Sequence, residues 1–533
     1  MQAVGIHDVE IIFLLLLLFV AGLAALAKRL QIPYPIILVI GGLILSFFPR
    51  APRVELNPDF VFLVILPPLV FASAFVTSWQ EFRYTFVSIS MLALGLVSFT
   101  IWGVAAASHW ILPGFNWRLG LVLGAVVSTT DAIAATSIAK RLALPARSRD
   151  VIEGESLVND ASGLLALQFT TTLLVSGHTP SPVEGVAHFL YLVFASIAVG
   201  FLVAKVIYFV ELKIEDPAIE TTIGLIAPYV AYLAAGSARA SGVLATVVCG
   251  LYLGHKSSLY LSIGARLQGA AVWNTLTFIL NGFVFVLLGL QLPYILDDIH
   301  GYTIGRLLWL GAEFSLVVIL LRLIWVFPGG WVSNFIRRRL LNQPEPFPNP
   351  RALFVVGWAG MRGVLALAAA VSLPKYVKNG APFPQRALII FLTFSVICAT
   401  LIGQGLTLPL IIRWLGLAGT VGANPEESLA RRAMIEAALA FLQSARDDAA
   451  PEFKPVYDEL IRLQRLRLSR FEEVPLSHGS PAHGPEQYEQ FLALSSKARA
   501  LQRATLLNLR NQNQIGDETL HKLEYELDLL DAQ

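Results

Sequence analysis

From about Asp8 to Trp414 the chain alternates long apolar runs with short polar joints, and from Gly416 onward such runs stop. A helix needs roughly 17–25 apolar residues to cross a bilayer. Dividing the runs at charged or Pro/Gly-rich joints predicts about thirteen spans, at 8–28, 32–48, 58–77, 84–111, 117–141, 148–176, 184–210, 218–237, 240–256, 264–293, 303–329, 351–374 and 384–414. The expected fold class is an all-α membrane protein, with a transmembrane domain over residues 1–415 and a cytosolic helical tail domain over 416–533. In the tail, Asn424-Pro425-Glu426-Glu427 has the form of a helix start: an N-cap, a Pro at the first position and acids in the first turn. Amphipathic stretches follow at 425–446, 452–473 and 486–512, a loop runs from Pro475 to Pro485, and Asp517 is placed to cap a last helix.

Two of the spans are interrupted. Span 5 carries Ser128-Thr129-Thr130-Asp131, and span 12, seven later, carries Gly357-Trp358-Ala359-Gly360-Met361-Arg362-Gly363. An arrangement of six spans, a linker and six puts these interruptions in corresponding places. That is the pattern of an inverted repeat whose binding site is made from broken helices. Gly and Thr inside single spans can also serve only helix packing.

Composition agrees with the pattern. Hydrophobic residues make up 56% of the chain and charged residues 14%, against roughly 25% charged in soluble domains. The net charge of +2 comes from basic residues scattered over the loops, so no nucleic-acid partner is expected. With the N-terminus outside, the inner joints hold most of the bases, including Lys28, Arg29, Lys140, Arg141 and Arg337 to Arg339. The outer joints hold few, among them Arg50, Arg53, Arg118 and Lys378. Positive charge inside predicts N-out and C-in. The first apolar run has no basic residue before it and Lys28-Arg29 after it, so it is expected to remain as the first span. Cys249 and Cys398 lie in apolar spans without metal spacing and are expected to be packing residues.

Charge at bilayer depth costs from about 2.5 kcal/mol upward, so such residues face the protein interior and usually serve function. Asp131, Glu155, Asp160 and Arg322 all fall deep within spans. Within Gly154-Glu155-Ser156-Leu157-Val158-Asn159-Asp160, residues four apart share a face, so Ser156 sits with Asp160 and Asn159 with Glu155. Five residues separate Glu155 from Asp160, about 140° around the helix at 100° per residue. One carboxylate can then hold Arg322 while Asp160, with Asp131, faces a pathway. Burial favours a protonated carboxylate and a bound cation favours an ionised one. A carboxylate that holds either, but not both, makes the two compete, and alternating exposure then yields antiport.

These strings resemble the monovalent cation–proton antiporters. Thr129-Thr130-Asp131, Gly154 to Asp160 and Gly360-Met361-Arg362-Gly363 are similar to the sodium/proton exchanger branch, which is marked by an Asn-Asp pair. Leu66-Pro67-Pro68, Ser241-Gly242-Val243-Leu244 and Gln404-Gly405-Leu406-Thr407 are further echoes. The resemblance implies a homodimer with interface and core domains, in which spans 5 and 12 cross as broken helices. It implies Asp160 as the carrier of cation and proton, with Asp131, Ser156 and the Thr130 carbonyl beside it. Asn159 stands where an electrogenic branch carries a second Asp, which implies electroneutral exchange. The resemblance also implies a Glu155–Arg322 ion pair and a structural or pH-responsive Arg362. One departure is Ala72, where many relatives carry an acid after Leu-Pro-Pro.

The expectation is thus a secondary antiporter in the cell membrane, serving pH homeostasis. It would exchange Na+ for H+, with Li+ or K+ as other cations, and would need no cofactor. Its partners would be those ions, membrane lipid and a second copy of the chain. A K+/H+ antiporter and an uncoupled channel or sensor remain alternatives. An intramembrane enzyme is disfavoured, because no His-Glu-x-x-His occurs and His109, His188 and His255 lie near span ends. No P-loop string for ATP-driven transport occurs either.

Overall fold

The computed structural model describes residues 6–48, 56–112, 114–176, 181–343, 349–377, 381–419, 425–469 and 485–531. Among them the only extended pairing is an isolated bridge between Tyr376 and Pro382, and the fold is helical. The chain forms two compact units: Met1–Thr77 with Glu81–Tyr260 and Gly269–Thr420, and Ser78–Gln80 with Leu261–Gln268 and Val421–Gln533.

In lipid every backbone polar group must be satisfied within the protein, which is why the apolar runs become helices. In chain order the helices are α1 (Ile6–Leu30), α2 (Tyr34–Ser46), α3 (Pro58–Val76), α4 (Trp79–Ile111), α5 (Trp117–Ser128), α6 (Ile133–Arg141), α7 (Ala146–Ser176), α8 (Pro182–Glu211), α9 (Pro217–Ser237) and α10 (Gly242–Tyr260). They continue with α11 (Ile263–Leu290), α12 (Ile304–Arg339), α13 (Pro350–Trp358), α14 (Val364–Val371) and α15 (Arg386–Trp414). The joints carry the caps that polar residues between apolar runs allow. Asn57, Asn116, Asp216, Thr303 and Asn349 each accept a backbone N–H from the first turn of the helix that follows. Ser181 and Glu184 close a capping box on α8.

Nine helices among the described residues are long and apolar enough to cross a membrane. The second, sixth, ninth and twelfth expected spans are helical but fall outside that set, being short, broken or polar over part of their length. Spans 5 and 12 are each two helices, α5 with α6 and α13 with α14, separated by unwound residues at 129–132 and around 359–363. Span 11 was expected to end at 329; instead α12 runs 36 residues, past Pro328 to Arg339. Span 4 was expected from residue 84, but α4 begins five residues earlier at Trp79. The expected loop residues Arg50, Arg53 and Lys378 lie outside the described residues.

Burial is graded across this unit. The most apolar stretch of Ile11–Leu30 is 17% buried and that of Trp117–Arg141 is 67% buried, so the broken span is the more enclosed. Leu18, Phe194 and Leu202 stand exposed on α1 and α8, as side chains facing hydrocarbon do. The helix α4 contains a π-helical turn at Met91–Leu96. Trp325 Nε1 donates to Met91 O at 3.0 Å and Ser162 Oγ to Ala93 O at 2.6 Å, so neighbouring helices satisfy carbonyls there.

In the second unit, α16 (Pro425–Asp447), α17 (Lys454–Ser469), α18 (Pro485–Asn511) and α19 (Asp517–Asp531) pack by amphipathic faces. Ala430, Met434, Leu506, Leu520 and Leu523 form one core cluster; Ile435, Leu439, Leu442 and Leu460 belong to another. Arg431 pairs with Glu427 and Glu526, Arg503 with Asp528 at 3.0 Å, and Arg510 with Asp517 at 2.9 Å. The expected cap Asn424 lies outside the described residues, as does the expected 475–485 loop up to the start of α18 at Pro485.

A close helix approach outside the breaks is made by Gly250-Leu251-Tyr252-Leu253-Gly254 on α10, which lies against α3. A Cβ at Gly254 would stand 2.0 Å from Phe75 O, whereas one at Gly224 would meet nothing within 4 Å. Small residues four apart let membrane helices touch backbone to backbone. Overpacking costs about 1–3 kcal/mol, which outweighs the ~1 kcal/mol of helix propensity that Ala gains over Gly. Gly254→Ala is therefore expected to lower the thermal unfolding midpoint of the detergent-purified protein by several degrees. Gly224→Ala should leave it unchanged or raise it slightly.

Candidate functional site

Each helix break frees backbone groups, and in this protein they are met by the other break and by Arg322 of α12. The Asp131 N–H donates to Met361 O at 2.8 Å, joining the unwound residues of one span to those of the other. Carbonyls at the C-terminal end of α5 are met by Arg362, whose Nη1 donates to Ser128 O at 2.8 Å and to Thr129 O at 3.0 Å. The C-terminal end of α13 is met by Arg322, whose Nε donates to Gly357 O at 2.9 Å and Nη2 to Val356 O at 3.1 Å. At the N-terminal end of α6, Asp131 Oδ1 accepts from Ile133 N at 2.8 Å. Cations thus cap two negative helix ends and an anion caps a positive one, as the helix dipole requires.

The glycines of the span 12 string make room for these charges. A Cβ at Gly360 would lie 2.0 Å from Arg322 Nε, and one at Gly363 would lie 2.5 Å from Asp131 Oδ2. No side chain fits at either place without displacing a charged group. Arg362 is itself held through its backbone, its N–H donating to Thr400 Oγ1 at 3.0 Å. Thr400 belongs to a π-helical turn of α15 at Ala399–Gln404.

Glu155 and Arg322 meet on the two sides of this crossing. Their side chains are 2% and 3% exposed, and both guanidinium ends engage the carboxylate, at 2.5 and 2.7 Å. Thr130 Oγ1 donates to Glu155 Oε1 at 3.2 Å and accepts from Asn159 Nδ2. Asn159, expected among the cation-binding residues, therefore reaches the site through Thr130 and does not line its cavity. Ser156 Oγ donates to Thr130 O at 2.9 Å and accepts from Ala132 N at 3.3 Å, so it closes the unwound strand of residues onto α7.

Asp160 and Asp131 line one cavity of about 120 Å³. A water in the liquid occupies about 30 Å³, so the space suits an ion with a few ligating groups or waters. Ser156 and Thr130 line it as well, while Glu155, Arg322 and Arg362 do not. No Lys, Arg or His is among the lining residues. The opposite wall is mostly apolar, with Val61, Ile65 and Leu69 on α3 and Val284 and Phe285 on α11. Two polar residues of that wall, Ser73 and Asn281, were missed from the sequence. Asn281 had a signal, as a lone amide between Leu280 and Gly282 in an apolar run. Ser73, one residue beyond Ala72, had none. The sequence placed one deep base in this layer; the structure places a second, Arg362, buried beside the breaks.

A model of the sodium/hydrogen exchanger transmembrane family matches residues 15–414 of the chain. An Na+/H+ exchanger of Mycobacterium tuberculosis, itself named as uncharacterized, is 32% identical over 515 residues, covering 95% of this chain and 93% of the relative. The sodium, potassium, lithium and rubidium/H+ antiporter of Bacillus subtilis is 28% identical, covering 98% of this chain and 78% of the relative. Among solved structures, the sodium proton antiporter MjNhaP1 from Methanocaldococcus jannaschii aligns with a TM-score of 0.61. That likeness has 20% identity and covers 79% of this chain and 100% of that one. It is a likeness of fold.

Removing one partner of a buried ion pair leaves the other charge uncompensated, at a cost of about 3–5 kcal/mol. Arg322→Met alone is expected to reduce sharply the yield of monodisperse protein on size-exclusion chromatography. Adding Glu155→Leu should restore part of it, because the uncompensated carboxylate is then gone while the Val356 and Gly357 carbonyls stay unmet. An equal loss in the double variant would show that the pair's geometry, rather than its charge balance, holds the crossing.

Proposed function

The chain belongs to the sodium/hydrogen exchanger family, and on that premise we propose that it is a secondary antiporter exchanging Na+ for H+, one for one, with Li+ and K+ as competing cations. The observation that carries this reading is the charge of the cavity. Two carboxylates line it and no base does. Around it, with every group ionised, Asp131, Glu155 and Asp160 face Arg322 and Arg362, so one negative charge is left over. One monovalent cation or one proton neutralises that charge, and both cannot bind together.

In this reading Asp160 is the carrier. Asp131, Ser156 and the Thr130 carbonyl supply oxygen to the cation, as hard-cation sites require. Glu155 and Arg322 fix the crossing, Arg362 holds the unwound carbonyls of residues 128 and 129 in place, and Asn159 orients Thr130 while adding no charge. An Asp at position 159 would leave a second negative charge to be carried, so Asn159 supports electroneutral exchange. The names of the relatives support cation/proton antiport as the class. The loop charges support an N-terminus outside and a C-terminus in the cytoplasm of a cell-membrane protein. A homodimer, and residues 416–533 as a cytosolic domain, belong to the same proposal.

Proteoliposomes loaded with acid buffer and a pH dye test it. Adding Na+, Li+ or K+ outside should alkalinise the interior, and Asp160→Asn, purified as a monodisperse protein, should abolish the response. Silence toward all three cations, or a normal rate in Asp160→Asn, would overturn the assignment. An imposed membrane potential should leave the rate unchanged; a rate that follows the potential would refute one-for-one exchange.

A further inference from the structure

A second cavity, of about 500 Å³, lies beside the carboxylate chamber and has a different character. Lys28, Gln31 and Arg141 line it, all at the ends of α1 and α6 that the loop charges assign to the cytoplasm. Arg141 is bound to Gln31 through both the backbone and the side-chain oxygen. With two bases on its wall, this space is a solvent vestibule and not a cation site.

Two helices pass from one cavity to the other. On α6, Ser137 lines the vestibule and Ile133 the chamber. They are four residues apart, about 6 Å along the axis. On α11, Phe278 lines the vestibule and Asn281 the chamber, three residues and about 4.5 Å apart. The cavities are therefore neighbours, separated by about one turn of helix on either side.

Tyr34 stands in that gap. It lines the vestibule, and its ring packs with centroids 5.7 Å apart on Phe278, which lies one helical turn from Asn281 of the chamber wall. Pro33 precedes it as the N-cap of α2 and Pro35 follows it, so the backbone that carries the ring is stiff. An aromatic side chain on a fixed mount has two ways to move, rotation about its own bonds and separation of α2 from α11.

We propose that Tyr34 is the gate between the vestibule and the carboxylate chamber, with the Phe278 contact as its seat. The inference rests on the reading of the chamber as the cation site. Its consequence is that charge selection happens behind Tyr34, and solvent access to Asp131 and Asp160 from this side depends on whether the ring keeps its place on Phe278. Tyr34 acts by position and takes no part in ligating the ion.

The test reads access directly and does not require transport, so its outcome is separable from that of the exchange assay. In the full-length chain with Cys249 and Cys398 replaced by Ser, a single cysteine is introduced as Ser137→Cys or Ile133→Cys. Membrane vesicles exposing the Lys28 and Arg141 side are treated with a membrane-impermeant methanethiosulfonate reagent. Ser137→Cys should react at one rate whatever stands at position 34, which also checks that each variant is folded. Ile133→Cys should react slowly beside Tyr34 and at least ten-fold faster with Tyr34→Ala. Phe278→Ala, which removes the seat and keeps the ring at position 34, should speed it a few-fold, and Tyr34→Phe, which keeps a ring on Phe278, should leave it slow. Equal Ile133→Cys rates with Tyr34 and Tyr34→Ala, or an Ile133→Cys rate matching Ser137→Cys while Tyr34 is intact, would overturn the gate.

Discussion

The fold depends on one constraint: backbone groups freed inside a bilayer have no water to turn to. Each unsatisfied group there costs several kcal/mol, and two helix breaks would free enough of them to unfold a chain of marginal stability. The two breaks solve this together with Arg322 of α12. Asp131 N–H finds Met361 O, the carbonyls of Ser128 and Thr129 find Arg362, and those of Val356 and Gly357 find Arg322. Neither break is stable by itself, so the broken helices must cross where they do. Gly360 and Gly363 follow from the same need, because the charges that cap the helix ends must approach the backbone more closely than a Cβ permits.

The buried pair of Glu155 and Arg322 has to be judged in that setting. Desolvating two ions costs about as much as their attraction returns, so such a pair is weak evidence of stability. Arg322 does more than pair: two of its bonds reach the carboxylate and two reach α13 carbonyls, which fixes α7, α12 and α13 in one register. A hydrophobic replacement could match the volume and still leave the α13 carbonyls unmet. The pair is retained because Glu155 keeps a cation at a helix end where one is needed. Thr130 then links this pair to the cavity, since its hydroxyl joins Glu155 and Asn159 while its carbonyl holds Ser156.

Much of this was legible in the sequence, and the reason is chemical. Charged residues are rare at bilayer depth, so Asp131, Glu155, Asp160 and Arg322 announced themselves by position. Helical spacing was enough to set Glu155 apart from Asp160. The interruptions in spans 5 and 12 were visible because Ser-Thr-Thr-Asp and Gly-rich strings do not belong in apolar runs. What spacing could not give was the partner of each freed carbonyl. Arg362 lies within an interruption, and only three-dimensional contact shows that it serves the other break. The far wall of the cavity was illegible for a different reason: Val61, Ile65 and Phe285 are ordinary apolar residues in apolar helices, and nothing in the pattern separates a lining position from a packed one. The ends of α4 and α12 were missed because a polar turn at Glu81 and a proline at 328 look like joints, although helices run through both.

The contrast between the two walls of the chamber bears on coupling. One wall holds the carboxylates and the unwound backbone; the other is mostly hydrocarbon, from α3 and α11. Under the proposed function, the carboxylate wall must pass the apolar one for the site to change sides. An ionised carboxylate facing hydrocarbon is penalised by far more than thermal energy, whereas a neutralised one is not. Passage is then permitted with a proton or with a cation bound and resisted with the site empty. That asymmetry is all an antiporter needs, since the empty site is the state whose movement would dissipate the gradient. Under that proposal the apolar wall, silent in the sequence, contributes to coupling alongside Asp160. In the proposed exchange Asp160 would supply the choice between two ions, and Val61, Ile65, Leu69 and Phe285 would make it costly to move with neither.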